Sequence, residues 1–573
     1  MPTPLDHEFV RVVAGAADRL AAPLAAGPEK DPVGVSHRAL ARRVKTLVAA
    51  YRSTESALHG SRQVVAATMA HLGALRAAQT TTGLFAGGDN VQSPPDSAFT
   101  VNDVCDAHVL AAGAGPELRG VAAALAEIAG AASEGLRAGG VHTPNHRWEL
   151  CAALARLHRS FPDSRLLDRV DAWLAEGVDI DAEGLYAERS ANYAAHVSNP
   201  SLLLLADVLG RTDLWDAVER NLTATLDLIR PDGTVETVHS RRQDQNQRFP
   251  LATYLPHYRL LAIRTGRCDF SRAALWAAAG GGVDDPNLLA ETILTPDLCR
   301  ALPTPAPEPL PRDRYITTAR LASRASATAH SVLYGGSDVP EHRRIRSGLA
   351  CNPTFLRLFA GDAVLDAVRL SRGFFDLGPF RAAGMQQLAD NQYRLTETLT
   401  AAYYQPLPPD RRRDDGAYRM ADEGRFSAAM AFPDRPRDEI SQTTRVEADL
   451  REDGAHLRID ISGPRVPWAL ELTFRPGGVP EGAVPIGDGR WCLTTGPMTY
   501  RVGDDEIRVE VDVEAGEPLA GPDRSDVLRY DPGQDHTVVG GTDATTGNRV
   551  YIGGHGPHTL SVTLRARHPA PVF

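Results

Sequence analysis

From about residue 36 to residue 300, apolar residues recur at three- and four-residue spacing, the period that lays one stripe along a helix. The stretches 36–79, 102–131, 145–159, 164–176, 191–229 and 250–265 are predicted helices, with the fifth broken at Asn199-Pro200. Beyond residue 312 the period falls to two. Thr354–Phe359, Arg445–Leu450 and Ile507–Val513 alternate apolar and polar positions and are predicted strands. Asp453-Gly454, Pro476-Gly477-Gly478 and Asp488-Gly489 punctuate them as turns. Between the two regimes, residues 301–312 form a proline-rich linker that cannot continue a helix. The chain thus divides into a helical domain over 1–300, the linker 301–312, and an antiparallel β domain over 313–573, expected as a large sandwich.

Glycine turns recur through the helical part. Gly87-Gly88 leads into Asp89, Asn90 and Gln92, and Gly139-Gly140 into His142, Asn145 and His146. Gly184 leads into Tyr186, Glu188, Asn192 and Tyr193, and Gly233 into Glu236, His239, Arg241, Arg242 and Gln243. The final glycines, at 88, 140, 184 and 233, are spaced 52, 44 and 49 residues apart. A period of roughly fifty residues fits stacked helical hairpins. Hairpins that curve into a ring bring all four segments to one rim, around one cavity. Hairpins that stack as an open solenoid leave the same turns merely solvated.

The turn at 139–150 is the densest in chemistry. Thr143 followed by Pro144 is read as an N-cap with proline at the first helical position, which places Asn145 and His146 in the first turn. Free backbone N–H groups there favour an anion and disfavour an imidazolium, so His146 is expected to be neutral near pH 7. Ser190 is expected to cap the helix carrying Asn192 and Tyr193. An extended Tyr186-Ala187-Glu188 turns Tyr186 and Glu188 to the same side. Residues 408–425, with Arg411-Arg412-Arg413-Asp414-Asp415, are expected as a mobile loop whose charges are solvated.

Composition narrows the field. The start of the chain lacks an apolar run fit for export, and no window approaches the roughly eighteen apolar residues of a membrane span, so a cytoplasmic location is expected. The net charge of −11 argues against a nucleic-acid binder, and only two of the 61 basic residues, Lys30 and Lys45, are lysines. The six cysteines are scattered without metal-ligand spacing and are expected reduced. No metal and no cofactor is expected, nor a membrane partner; a homo-oligomer is compatible with the sequence.

Asparagine, histidine, tyrosine and arginine without a metal motif or a nucleophilic serine suit β-elimination at a uronic acid. The C5 proton is poorly acidic until the neighbouring carboxylate is neutralised by hydrogen bonds. A base then takes that proton and an acid protonates the leaving O4. The chain resembles the heparinase II/III-like polysaccharide lyases on two motifs, Asn145-His146 and Glu188-Arg189-Ser190-Ala191-Asn192-Tyr193, the latter similar to that family's Glu-x-Ser-x-x-Tyr segment. The resemblance implies an incomplete (α/α) toroid followed by a β-sandwich, with Asn145 and His146 on the carboxylate and Tyr193 catalytic. His239 is placed with these as a catalytic candidate, and Gln92, His142, Arg147, Tyr186, Glu188, Asn192, Arg241, Arg242 and Gln243 as substrate-binding candidates. The family's histidine-rich turn in the first strands is missing: the stretch 346–356 holds no histidine, leaving His330, His342 or His239 to replace it. The expected substrate is a short uronate-containing oligosaccharide or polysaccharide, with a rhamnosyl-glucuronate unit as one example. Two rival readings stand beside elimination: a glycoside hydrolase using two of Asp103, Glu149, Glu188, Glu236 and Asp244, and a carbohydrate-binding protein without catalysis.

Overall fold

A computed structural model describes residues 4–27, 34–87, 91–307, 313–520 and 546–568. Gly88, Asp89, Asn90 and the end of the proline-rich linker lie outside the described residues. The chain divides into two compact units. One is built from Met1–Ile229, Gly233–Val235 and Phe249–Glu308, the other from Arg230–Asp232, Glu236–Arg248 and Pro309–Phe573.

The first unit is an incomplete (α/α) toroid. Its helices are α1 (His7–Ala26), α2 (His37–Arg52), α3 (Arg62–Ala77), α4 (Pro94–Ala112), α5 (Arg119–Ala138), α6 (Pro144–Ser160) and α7 (Ser164–Leu174). After these come α8 (Ala191–Tyr193), α9 (Asn199–Leu209), α10 (Thr212–Leu226), α11 (Leu255–Thr265), α12 (Cys268–Ala279) and α13 (Leu288–Leu294). Helices α2, α4 and α6 are buried on nearly every side, whereas α3, α5 and α7 bury a single stripe, as inner and outer members of hairpins must. The inner helices run parallel. Going down the ring, His37 meets Thr100 at 2.6 Å and Lys45 meets Asp103, while Asn102 meets Glu149 at 2.6 Å and Arg156 meets Asp106 at 2.8 Å. Neighbour contacts run from α2 to α4, α6 and α9, and α13 returns to α2.

Glycine turns open the inner helices, as the sequence pattern indicates. Helix α1 was not anticipated, and the predicted 36–79 helix is two, parted by the turn at 53–61. The predicted break at Asn199-Pro200 is absent. Ala194–Ser198 is a π-helical turn in which the Asn199 N–H reaches back to Ala194 O, so the chain passes through Pro200 in the first turn of α9 without a break. The break falls later, at Gly210 in the left-handed region.

Among its described residues the second unit holds a nine-stranded and an eight-stranded sheet, antiparallel except where Arg490–Cys492 pairs with Asn548–His555. Ala363–Arg372 and Pro467–Phe474 are central in the first, Arg437–Arg451, Gly454–Ser462 and His558–Arg567 in the second. Their inward residues, among them Leu365, Leu470, Leu457 and Val562, form one core, which makes the unit a β-sandwich. Arg413 and Asp415 in the 408–425 segment are exposed and paired with each other.

Two of the turn glycines make opposite forecasts. Gly184 has φ +89°, and a Cβ there would stand 2.6 Å from Arg220 O; Gly140 has open space around it. Gly184→Ala is expected to cost about 2 kcal/mol or more, and Gly140→Ala less than about 0.5 kcal/mol, readable as the shift in denaturation midpoint.

Candidate active site in the helical ring

The N-terminus of α6 is capped from a distance. Thr143 holds the N-cap position before Pro144, but its side chain makes no capping bond. Instead the Asn145 backbone N–H donates to Glu188 Oε2 at 3.2 Å, and Asn145 Nδ2 donates to the same oxygen at 2.7 Å. The second Nδ2 hydrogen makes the longer contact, 3.3 Å, with Thr143 Oγ1. Asn145 Oδ1 is buried with no hydrogen-bond partner among the described residues. The anion-favouring position read from the sequence is therefore real, and the protein's own Glu188 carboxylate fills it.

Glu188 reaches α6 from a tight turn. The Arg189 N–H donates to Tyr186 O at 2.8 Å, and Arg189 adopts a left-handed backbone with φ +49°. Such a conformation is strained for a residue with a Cβ and persists where surrounding contacts determine it. This turn corrects the extended reading of Tyr186-Ala187-Glu188. Tyr186, a substrate-binding candidate in the sequence, is placed in the interior of the ring. The Tyr186 hydroxyl is buried and donates to Asn199 Oδ1 at 2.8 Å; Asn199 in turn donates to Asn221, and Asn221 to Gly184 O. Burial holds the Tyr186 phenol well above its usual range, the state of an internal strut. Ser190 caps as expected, its Oγ accepting from the Tyr193 N–H at 3.1 Å. Asn192 and Tyr193, both half-buried, start the helix that then widens into the π turn. His196, on that turn, is exposed; desolvation first and the Arg42 charge second lower its pKa, against the pull of Asp285.

Around His146 the rings cluster. Its imidazole stands edge-on to His142 at 4.7 Å and to Phe99 at 6.3 Å. The Arg38 guanidinium lies 4.1 Å over Phe99 and is ion-paired with Asp96. Arg38 and Phe99 escaped the sequence reading, although Arg38, Arg42 and Lys45 at helical spacing on an otherwise apolar helix were the available signal. The Arg147 guanidinium bonds Glu176 at 2.9 Å and Asp179 at 3.0 Å and packs on the buried Trp148. Gln92 is exposed, at φ +45°, and accepts from Thr82 at 3.2 Å.

His239, Arg241, Arg242 and Gln243 are corrected in their placement. They lie on Glu236–Arg248, which belongs to the second unit instead of the ring. Glu236 is buried and accepts from Arg230 at 3.1 Å, Arg357 at 2.7 Å, and the N–H groups of Thr237 and Val238. Arg230 also donates to His330 Nε2 at 2.8 Å, so that nitrogen is an acceptor and the ring neutral. Farther along, Arg241 pairs with Asp338 at 2.8 Å, and the Cys351 N–H donates to Gln245 at 2.8 Å. His239 is buried among these residues, and Gln243 opens a short 3-10 turn. His342 ends a four-residue helix at the surface.

Among the described residues, no group of three or more His, Cys, Asp or Glu is arranged to hold a metal ion, and no helix is long and apolar enough to cross a membrane.

An (α/α) toroid followed by a large antiparallel β domain is the architecture this chain shares with solved polysaccharide lyases. Chondroitin AC lyase from Streptomyces coelicolor A3, solved with chondroitin sulphate, superposes with a TM-score of 0.50 at 12% identity, covering 97% of this chain and 79% of its own. Xanthan lyase from Paenibacillus superposes at 0.54 with 10% identity over 98% of this chain, which spans 56% of that enzyme's length. A family 88 glycosyl hydrolase from Bacteroides vulgatus aligns over 53% of this chain and 90% of its own at 0.33 and 14% identity. No protein-family model matches the sequence, and no curated protein matches it. At such identities the likeness shows the fold alone.

The Glu236 cluster yields a pH prediction. Desolvation raises its pKa, but Arg357 and Arg230 outweigh that and hold it at about 2 against an ordinary 4.5. Because the folded value is the lower, the stabilisation is complete above pH 4.5 and is lost as pH falls toward 2, about 3 kcal/mol for this buried group. His330, held down to about 3 by burial and Arg230, adds a loss in the same direction from pH 6.5 downward. In chemical denaturation followed through Trp468 and Trp491, Glu236→Gln is expected to flatten the dependence between pH 4.5 and 2 and to start from a lower stability at pH 7.

Proposed function

We propose that this chain is a lyase that cleaves a glycosidic bond at a uronic acid by β-elimination, and that its site lies at the N-terminal ends of the inner helices. The observation that carries the reading is the Asn145–Glu188 bond. It joins the helix start bearing Asn145-His146 to the turn that launches Tyr193. These are the two motifs in which the chain resembles the heparinase II/III-like lyases, and they come from segments 43 residues apart.

The chemistry follows from what each group offers. The Asn145 amide is held by Glu188, and its second N–H, on the long contact to Thr143, is the one available to a sugar carboxylate. His146, with His142 beside it, supplies the companion donor. Hydrogen bonds to that carboxylate stabilise the charge that develops when the C5–H bond breaks. Tyr193 is the proton-transfer group: a base takes the C5 proton, the electron pair forms the C4–C5 double bond, the bond from C4 to the bridging oxygen breaks, and that oxygen is protonated.

Hydrolysis is less well served. It needs a pair of carboxyl groups free to act as acid and base across a cavity. Each candidate is engaged: Asp103 by Lys45, Glu149 by Asn102, Glu188 by Asn145, Glu236 by two arginines, and Asp244 by Ser240.

Elimination leaves an unsaturated uronate absorbing at about 235 nm, with the reaction split between acid and base roles as above. Purified protein is expected to generate that absorbance from uronate glycans. Tyr193→Phe should lower the rate by about 100-fold or more while leaving the fold intact, and Asn145→Ala by about 10-fold or more. Full activity in Tyr193→Phe would remove that residue from the mechanism.

A further inference from the structure

Inside the ring, one stripe of α2 carries Arg38, Arg42 and Lys45, and each has a carboxylate to itself. Arg38 pairs with Asp96, Arg42 with Asp285 at 3.4 Å, and Lys45 with Asp103. These partners come from α4 and from the turn before α13, the two inner neighbours of α2, so the stripe faces inward. His196 of the π turn lies within electrostatic reach of both Arg42 and Asp285, which brings the segment after Tyr193 near this wall.

Among the described residues, each cation of this stripe is paired with a carboxylate. Below it Asp106 is shared by Arg156 and Arg159, while Glu149 and Glu291 add two further carboxyl groups, both pushed up to about 7, chiefly by burial. His37 and His196 are both lowered, first by desolvation, and add no charge near neutrality. Yet the upper part is open: the side chains of Arg38, Arg42 and Asp285 are 43%, 51% and 45% exposed. The half-exposed Arg42–Asp285 pair, with the Arg38 guanidinium near it on the same stripe, offers donors and an acceptor side by side, which is what vicinal hydroxyl groups need. A sulfate arriving there would have to pull a guanidinium from its partner and leave that carboxylate uncompensated.

We propose that this wall is a subsite for a neutral, hydroxyl-rich sugar, so that the natural substrate sets its uronate beside an unsulfated residue. The inference rests on the lyase reading for the word substrate, but the subsite is testable by binding alone. Affinities of an unsulfated chondroitin tetrasaccharide and its sulfated counterpart are measured by calorimetry with wild type and with Asp285→Asn, alongside absorbance at about 235 nm for turnover. The unsulfated sugar is expected to bind about 10-fold tighter to wild type. Asp285→Asn, which leaves the Arg42 charge unbalanced, should narrow that gap by strengthening the sulfated ligand. Equal or tighter binding of the sulfated sugar to wild type, or an unchanged gap in Asp285→Asn, overturns the subsite and leaves the lyase reading standing. The expected preference without unsaturated product from chondroitin or from any other uronate glycan overturns elimination and leaves the subsite. Binding of neither sugar overturns the subsite.

Discussion

One carboxylate seated on the first turn of a helix ties the candidate site together. Glu188 takes two hydrogen bonds from Asn145, one from its backbone and one from its side chain, at the end of α6 where unsatisfied N–H groups and the helix dipole favour negative charge. A charged cap of this kind stabilises by about 1–2 kcal/mol. That is enough to offset the left-handed backbone of Arg189, which costs about 1 kcal/mol or more. The same contact orients the Asn145 amide, and Glu188 stands two residues before Ser190, whose cap starts the helix of Tyr193. Removing the carboxylate would loosen three features of the ring at once.

Below this mouth the ring is held by charges that are stable only in company. Lys45 is buried, and desolvation alone would lower its pKa; Asp103, Asp106 and Glu291 outweigh that and keep it protonated. Arg156 likewise depends on Asp106 and donates to Asn102, which reaches on to Glu149. Breaking one member of such a network leaves its partner as an uncompensated buried charge. The inner helices thus combine an apolar seam against their neighbours with a paired polar stripe toward the hollow, and the pairing limits what the hollow will accept.

Much of the fold was legible in the residues. The glycine turns at fifty-residue spacing marked where inner helices begin, and the change from helical to alternating periodicity marked the β-sandwich. Ser190 was legible as a cap because the bond it makes is local. The cap of α6 was not, since Thr143 has the right chemistry and position, and only the tertiary fold brings Glu188 there instead. Pro200 read as a break because its missing N–H ends an α-helix, whereas a π turn shifts the bonding so that the chain continues. The placement of His239 and Arg241 was illegible for a related reason: Arg241 finds its partner in Asp338, nearly a hundred residues on, and no local pattern records that.

The account stands or falls on how the sugar linkage is broken, and oxygen-18 water reads that directly. Elimination uses no water: the two product masses sum to that of the substrate, and reaction in labelled water leaves both fragments unlabelled when they are analysed before the new reducing end exchanges its anomeric oxygen. Hydrolysis would place one labelled oxygen at the cleaved linkage. Unlabelled products from a uronate oligosaccharide are the result expected here; label in a product would contradict it.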